Sequence, residues 1–182
     1  ILRQIPVVKE KVPLFNVLFP YVDGSSMSIH SWEGKAIDTP PISGRIVKIN
    51  DSIAHFYDIE LKEGTQTFNL QDKECLINET FARSMKTDNP VGKHLQSFGV
   101  VKGVVYDFQS QSPTSPVPAI VFCSTHFAFE PISVAFKYED DFLTVERIVR
   151  EIRNICPITD YGRRLYAFLP QKILQKSGRT DG

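Results

Sequence analysis

The sequence lacks a hydrophobic run long enough to cross a membrane. Its longest fully apolar stretch is Ala119–Cys123, whereas a spanning helix needs about 20 mostly apolar residues. A secretory signal is also lacking, because the charged residues 9–11 interrupt the apolar residues near the start. The chain begins at Ile1 without a methionine, and we therefore expect it to be a segment of a longer protein.

An excess of charge of either sign is absent as well. The 21 basic side chains balance 21 acidic ones, so the formal net charge is zero. This balance disfavours binding to nucleic acid through neutralisation of phosphates. A hydrophobic content of 42% and 182 residues are typical of one globular domain, or two small subdomains, whose core needs no disulfide or metal.

Cysteine is scarce and forms no recognisable metal-binding pattern. Cys75, Cys123 and Cys156 are widely spaced, and each lies beside apolar residues. This setting favours three buried thiols, with one disulfide and one spare thiol as the alternative. None of the four histidines lies at metal-ligand spacing from another His, Cys or Asp. We therefore expect neither a metal site nor a cofactor.

The motifs of common enzyme families are missing, including the nucleophile elbow, the Walker loop and the dinucleotide-binding glycines. The acidic pair at 140–141 is interpreted as a helix cap. Asn78 and Glu79 lie at a strand-to-helix junction, where enzymes often place catalytic groups, but a capping role is favoured there too. We expect no catalytic residue. A hydrolase that uses Asn78, Glu79 and Asp107 remains an alternative, and it requires these side chains to converge in a cleft.

The apolar residues that are present predict an α+β fold. Strands are expected where apolar and polar residues alternate, or where a short apolar run is bounded by turn residues. Gly103, inside one such run, predicts a bulge or a close approach of two backbones. The predicted strands are 26–32, 44–50, 59–64, 74–77, 94–98, 100–108, 119–123, 132–136 and 164–169.

Three helices are predicted from capping residues and helical periodicity. The first is capped by Asp51 and the second by Asn78, and Glu79 suits the positive end of the second helix dipole. Their predicted limits are Asp51–Tyr57, Asn78 to the stop at Asp88-Asn89-Pro90, and an amphipathic segment over 140–155 that ends before Pro157.

Several short segments, taken in order, carry a family resemblance. They are Trp32–Lys35, Phe56–Gly64, Cys75–Ala82, Asn89–Lys93, Lys102–Phe108 and Pro118–Phe122. This series resembles the extracytoplasmic (periplasmic core) domain of MacB/FtsX-like ABC transporter permeases over residues 26–169. In that family a Leu-rich stretch and a Gly precede an "INE" helix start, an "NP-[IV]-G-K" turn and a "G-V-V-x-D-F" strand. The matching positions are Trp32, Gly34, Gly64, Asn78, Glu79, Pro90, Gly92, Lys93, Gly103, Asp107 and Phe108.

Two departures from the family pattern leave its branch open. Gly64 is followed by residues 65–67 (TQT) instead of an Arg and an acidic residue, and Pro170 stands where an acidic residue is usual. The resemblance implies two subdomains. A porter-like βαβ unit would comprise residues 1–64 and 131–176, and a smaller inserted α/β (Sabre-like) unit would comprise 65–130. Membrane helices would lie before Ile1 and after Gln175, and 177–182 would be a disordered tail.

The resemblance also implies a function. Such a domain is non-catalytic, lies on the periplasmic face of the inner membrane and couples cytoplasmic ATP hydrolysis to the movement of a partner or cargo. Its expected partners are the remainder of the permease and its ATPase subunit, with a periplasmic adaptor or cell-wall protein as further candidates, and no nucleic acid. The alternative is a free-standing extracytoplasmic ligand-binding or sensor module, which requires an apolar pocket with convergent polar groups.

Overall fold

The computed structural model describes residues 8–14, 25–108, 115–124 and 133–138, together with Arg150. Four predictions lie outside these residues: the state of Cys156, the helix over 140–155 apart from Arg150, the strand over 164–169 and the tail over 177–182. In the part of the chain that is described, no helix has the length and apolar character needed to cross a membrane.

The described residues form nine strands and two helices, which confirms the α+β class. The strand predicted over 119–123 has the predicted bounds, and the other predicted strands in the described residues differ by a few residues at their ends. Strand β1 was not predicted. The elements are β1 Val8–Leu14, β2 Ser25–Ile29, β3 Ile42–Lys48, α1 Asp51–Phe56, β4 Leu61–Gly64, β5 Glu74–Asn78, α2 Glu79–Met85, β6 His94–Leu95, β7 Gly99–Val105, β8 Ala119–Cys123 and β9 Ser133–Tyr138.

Seven of these strands form one mixed sheet in the order β2-β3-β8-β5-β7-β4, and β6 pairs with the start of β7. Two neighbouring pairs are parallel, β3 with β8 and β5 with β7, and the other pairs are antiparallel. Strand β8 therefore joins β3 to β5, although 40 residues separate Asn78 from Pro118.

Strands β1 and β9 form a separate two-stranded antiparallel sheet, in which Val8 is paired with Tyr138 and Leu14 with Ser133. An early and a late segment of the chain thus meet, as a discontinuous unit requires. Strands on both sides of Gly64 belong to the large sheet, however, and a boundary after Gly64 would separate β4 from its partner β7. The division of the chain into two subdomains stays a prediction.

Apolar side chains cover both faces of the large sheet. On one face, α1 and the loop that carries Phe68 and Leu70 pack on Val47, Leu76 and Phe122. On the other face, α2 contributes Phe81 and Met85, which pack with residues such as Ile77, Val101 and Val121. Neighbouring residues of β5 and β8 alternate between the two clusters, as the period of a strand requires.

The cap predicted for helix α1 is wrong, because its N-cap is Asn50 rather than Asp51. The Asn50 Oδ1 accepts a hydrogen bond from the Ile53 amide at 2.9 Å. Asp51 is the first helical residue, and its carboxylate instead accepts from the Phe68 amide at 2.6 Å and from the Thr67 hydroxyl. The Asp51 side chain therefore fastens the loop after β4 to the start of α1.

Two further elements are shorter than predicted. Helix α2 ends at Met85, three residues before the predicted stop, because Lys86 adopts a left-handed conformation with φ 52°. The strand predicted over 94–98 consists only of His94–Leu95. Ser97 and Gly99 have φ values of 68° and 87°, so the chain reverses there and β7 can pair with β6.

Gly103 lies at the bulge predicted for β7. The register of β7 against β5 shifts between Cys75 and Leu76, which are paired with Val101 and Gly103. The extra residue changes the alternation, so Val101 and Val104 both face the α2 side although they are three residues apart.

Candidate functional site

Polar residues from four elements meet where several strands of the large sheet begin or end. Strands β5 and β7 are parallel, so Asn78 and Asp107, at or just after their carboxyl ends, lie close together. Strands β8 and β4 run antiparallel to these two, so the start of β8 and Lys62 of β4 lie at the same end of the sheet. We call the resulting group the polar junction; it consists of Lys62, Asn78, Glu79, Thr80, Arg83 and Asp107.

Asn78 is the centre of the polar junction and is completely buried. Its Oδ1 accepts from the Phe81 amide at 3.1 Å, which caps α2, and from the Ile120 amide at 2.8 Å. Its Nδ2 donates to Asp107 Oδ1 at 2.7 Å and to the Pro118 carbonyl oxygen at 2.9 Å. Because an amide side chain has two donor hydrogens and two acceptor lone pairs, its hydrogen-bonding capacity is filled.

The Asp107 carboxylate collects the donors of the first turn of α2. Besides the Asn78 amide, it accepts from the Thr80 backbone amide at 3.0 Å and the Thr80 hydroxyl at 2.8 Å. Arg83 donates to Asp107 Oδ2 at 2.7 Å. The side chain of Asp107 is only 7% exposed, whereas that of Arg83 is 66% exposed. The carboxylate is thus shielded from water and lies at the positive end of α2.

Glu79 extends the polar junction to the edge strand. Its Oε2 accepts from the Asp107 backbone amide at 3.0 Å, and its Oε1 accepts from Lys62 Nζ at 2.6 Å. Burial by itself raises the pKa of Glu79, but the hydrogen bonds from Asp107 and Lys62 outweigh it and lower that pKa below its usual value. The same hydrogen bond to Glu79 raises the pKa of Lys62. Both groups are therefore charged at neutral pH.

The side chains named by the hydrolase alternative do converge, but in an arrangement suited to holding elements together. A general acid that works near neutral pH requires a carboxyl group with a raised pKa, whereas the pKa of Glu79 is lowered. The amide of Asn78 and the carboxylate of Asp107 are occupied by partners within the chain. The geometry of these residues favours a structural role over acid–base catalysis.

A second group of residues, which includes the motif positions Trp32 and Lys93, joins the turn at residues 32–35 to the turn that follows α2. The Glu33 amide donates to the His94 carbonyl oxygen at 2.9 Å, and the Glu33 carboxylate accepts from the His94 amide at 3.2 Å. The ammonium group of Lys93 lies 3.7 Å from the same carboxylate. Trp32, which is buried, is bridged to Leu95.

Four motif residues of the same region shape these turns. Gly34 and Gly92 have φ values of 82° and 86°, which few residues other than glycine adopt. The Lys93 amide donates to the Pro90 carbonyl oxygen at 3.2 Å and closes the second turn.

The remaining motif residues lie inside the sheet. Gly64 of β4 is paired with Gly103 of β7, and the two backbones approach closely. A Cβ atom on Gly64 would lie 2.3 Å from the Lys102 carbonyl oxygen, and one on Gly103 would lie 2.6 Å from that of Glu63. Phe108 is buried beside Phe122, with ring centroids 6.3 Å apart. The assignment of these positions as a family motif stays a prediction.

Sequence reasoning did not identify Lys62, Thr80 and Arg83 as members of the polar junction. Thr80 and Arg83 follow the cap by two and five positions, and a polar residue at each would have been the available signal. Lys62 gives no local signal, because it reaches Glu79 only through the pairing of β4 with β7.

The described residues include one broad groove of about 500 Å³ beside β2 and β3, lined mainly by small or polar residues such as Ser28, Ser43 and Arg45. The sensor alternative requires an apolar pocket, and this groove does not fit that description. Within the described ranges, no cluster of three or more His, Cys, Asp or Glu side chains could hold a metal ion.

Comparisons with solved structures identify the fold of the chain. No family model and no curated sequence matches. A solved structure named "a domain of a putative Permease protein", from Porphyromonas gingivalis, matches with a TM-score of 0.56 and 15% identity over 85% of this chain and 73% of that one. The extracellular domain of the noncanonic ABC-type transporter YknZ from Gram-positive bacteria matches with a TM-score of 0.49 and 14% identity, over 85% and 79% of the two chains. The chain therefore has the α+β fold of the Porphyromonas gingivalis domain.

Proposed function

We propose that the chain is the extracytoplasmic domain of an ABC transporter permease. In this proposal the chain is non-catalytic, and it couples ATP hydrolysis by a cytoplasmic ATPase to the movement of a partner or cargo. The observation that carries the proposal is the fold shared with the Porphyromonas gingivalis permease domain over 85% of the chain. The ordered series of sequence motifs, found independently of the fold, supports the same assignment.

The two-stranded sheet supports an attachment by two segments of the chain. Because β1 and β9 are antiparallel and Val8 is paired with Tyr138, the chain enters β1 and leaves β9 at the same end. An early and a late segment of the chain are thus brought together, as an attachment through two segments requires. The rest of the permease and its ATPase are the proposed partners, together with a periplasmic adaptor or a cell-wall protein.

The polar junction supports the proposal that the domain transmits movement. A transmitting element must move as one body, and the polar junction ties the ends of β5 and β7, the starts of β4 and β8, and helix α2 together. Six hydrogen bonds centred on Asn78 and Asp107 join β5, β7, β8 and α2 through buried or half-buried groups. The exposed Lys62–Glu79 pair adds β4. A load applied to one of the four strands would therefore be passed to the others.

The location can be tested in intact cells that express the full-length parent protein. Ile37 is 98% exposed, so we expect an Ile37→Cys variant to react with a membrane-impermeant maleimide added outside the cells. Because the native cysteines could also react, the parent without the substitution is the control. If labelling of Ile37→Cys above that control required disruption of the inner membrane, and not of an outer membrane alone, the domain would lie in the cytoplasm and the proposal would be wrong.

The coupling can be tested in proteoliposomes that contain the intact transporter. We expect Asp107→Asn to reduce transport per ATP hydrolysed, because a neutral amide accepts the Arg83 and Thr80 hydrogen bonds less well. Lys102→Ala is the matched control, since it removes a charge from an exposed pair with Glu74, 3.5 Å away, outside the polar junction. Equal coupling in Asp107→Asn, Lys102→Ala and the parent protein would contradict a role of the junction in transmission.

A further inference from the structure

Two cysteines face one another on neighbouring strands in the middle of the large sheet. Cys75 of β5 is paired with Cys123 of the antiparallel strand β8, and both thiols are free. Side chains of directly opposed residues in an antiparallel pair project from the same face of the sheet. Burial raises the pKa of the Cys75 thiol to about 12, and Cys123 adds to this rise electrostatically. The Cys75 Sγ lies 3.7 Å from the Val100 carbonyl oxygen and the Cys123 Sγ lies 3.9 Å from the Val47 carbonyl oxygen, so both side chains must rotate for a bond to form.

The backbone hydrogen bonds show which kind of antiparallel pair this is. The Cys123 carbonyl oxygen accepts from the Ile49 amide at 3.1 Å, so the backbone polar groups of Cys123 point away from β5. The Lys73 carbonyl oxygen accepts from the Val100 amide at 2.9 Å. The direction of the backbone polar groups alternates from one residue of a strand to the next. Cys75 lies two residues after Lys73, so its backbone polar groups also point toward β7 and away from β8.

Cys75 and Cys123 therefore form a non-hydrogen-bonded pair, the closer of the two kinds. The Cα atoms of such a pair lie about 4.5 Å apart. A disulfide spans Cα–Cα separations of roughly 4.4–6.8 Å, so this pair lies within reach of a bond without a change of strand register.

The two thiols differ in accessibility. Cys75 is completely buried, whereas Cys123, the last residue of β8, is half-buried. Burial raises the pKa of the Cys123 thiol, but the ammonium group of Lys48, which is paired with Cys123 across the parallel strands, opposes this effect. Cys123 is thus the thiol that a reagent in solution reaches first. Its thiolate is the species that attacks the reagent.

We propose that Cys75 and Cys123 are a redox-active pair that a small-molecule disulfide converts into a cross-strand disulfide. The Cys123 thiolate attacks one sulfur of the external disulfide, forms a mixed disulfide and releases the first small thiol. The Cys75 thiolate then attacks the Cys123 sulfur of the mixed disulfide, which closes the Cys75–Cys123 bond and releases the second small thiol. Two electrons pass from the protein dithiol to the external disulfide, and the two protons leave with the released thiols.

This bond would fix β8 to β5 at the point where the two sides of the sheet are joined. The cross-link would close a loop of about 50 residues, which restricts the unfolded chain and stabilises the folded one. The proposal stands on strand register and thiol accessibility, and it does not depend on the assignment to a transporter.

The experiment is to treat the folded chain with oxidised glutathione, count its free thiols and analyse an unreduced digest by mass spectrometry. We expect two of the three thiols to disappear and one peptide pair to contain Cys75 linked to Cys123. Thermal unfolding should shift upward by about 5–15 °C, since closing a loop of this length stabilises a domain measurably. Dithiothreitol should reverse both changes.

Two variants serve as controls. Cys156→Ser should leave the linked peptide and the thermal shift unchanged, because that cysteine is the spare thiol. Cys123→Ala, at a half-buried position that tolerates the change better than Cys75, should abolish both. A bond that contains Cys156 in the native chain, or a lasting glutathione adduct on Cys123 without the internal bond, would overturn the proposal. So would unchanged thiols in the folded chain under conditions that oxidise the urea-unfolded chain.

Discussion

Replacing Asn78 with alanine tests the polar junction directly. The substitution removes the cap of α2 and leaves the Ile120 amide and the Pro118 carbonyl oxygen without their hydrogen-bond partner. Asn78, Phe81 and Ile120 are completely buried. Loss of an N-cap costs about 1 kcal/mol, and a buried amide left without a partner costs roughly 1–3 kcal/mol more. We expect the free energy of unfolding to fall by about 2–4 kcal/mol.

The matched control is Asn50→Ala at the other helix. The Asn50 side chain caps α1 through one hydrogen bond to the Ile53 amide, and Asn50 is only half-buried. Its loss should cost about 1 kcal/mol. Equilibrium unfolding in urea, monitored by circular dichroism, measures both variants. A third variant, Asn78→Asp, keeps the acceptor for the cap but places a second carboxylate against Asp107, and we expect it to be at least as destabilised as Asn78→Ala.

The result that would refute this reasoning is an equal loss of stability in Asn78→Ala and Asn50→Ala. Such a result would mean that the stranded groups near Asn78 find other partners, for instance water, and that the junction contributes no more than an ordinary cap. A stable Asn78→Asp variant would contradict the assignment of Asn78 Nδ2, instead of Oδ1, to the contact with Asp107.

Three other predictions concern close backbone contacts, pH and the core. Gly64→Ala should prevent stable folding, since its Cβ would collide with the Lys102 carbonyl oxygen 2.3 Å away. The control is Gly34→Ala, whose Cβ would meet nothing within 4 Å and which should cost about 1 kcal/mol for its left-handed backbone alone. Thermal unfolding distinguishes the two variants. The pKa of Glu79 is lower in the folded chain than in the unfolded one, so the unfolded state binds more protons at pH values between the two. The stabilisation by Glu79 is complete above about pH 5 and should be lost as the pH falls through the folded pKa. Glu79→Gln should therefore flatten the decline in stability below about pH 5 in urea titrations, and an unchanged decline would contradict the ion pair with Lys62. Phe81→Ala empties a fully buried position and should cost about 3–5 kcal/mol in the same assay; a loss below about 1 kcal/mol would contradict its place in the core.

The features that local sequence determines were predictable. The cap at Asn78, the buried stripe of α2 and the bulge at Gly103 each depend on neighbouring residues, and the structure shows all three. The choice of Asp51 over Asn50 as a cap was wrong for a reason that local sequence hides. Both residues can cap a helix, and contacts of Asp51 with the loop residues 67–69 decide between them.

The features that depend on distant pairing were not predictable from local sequence. Nothing in the residues around Ala119 indicates that β8 lies between β3 and β5. The contact between Lys62 and Glu79 depends on the pairing of β4 with β7 in the same way. A hydrolase that uses Asn78 and Asp107 requires these side chains to converge. The same convergence forms a saturated structural network, because Arg83 and Thr80 take up the remaining acceptors of Asp107.

The position of β8 has a consequence for how the chain folds. Within the described sheet, β2 and β3 share no hydrogen-bonded strand with β4–β7 other than β8. A ribosome-bound chain that ends near Phe108 would therefore hold two pieces of sheet that are linked through the Trp32–Leu95 bridge but not through β8. The Asn78 Oδ1 would lack its hydrogen bond from the Ile120 amide. We expect hydrogen exchange to show little protection in β3 and β5 of a chain truncated after Phe108, and strong protection once residues 109–123 are added. Such dependence on late, distant contacts makes folding slow, and β8 is then the last strand to enter the sheet and the one that completes both faces of the core.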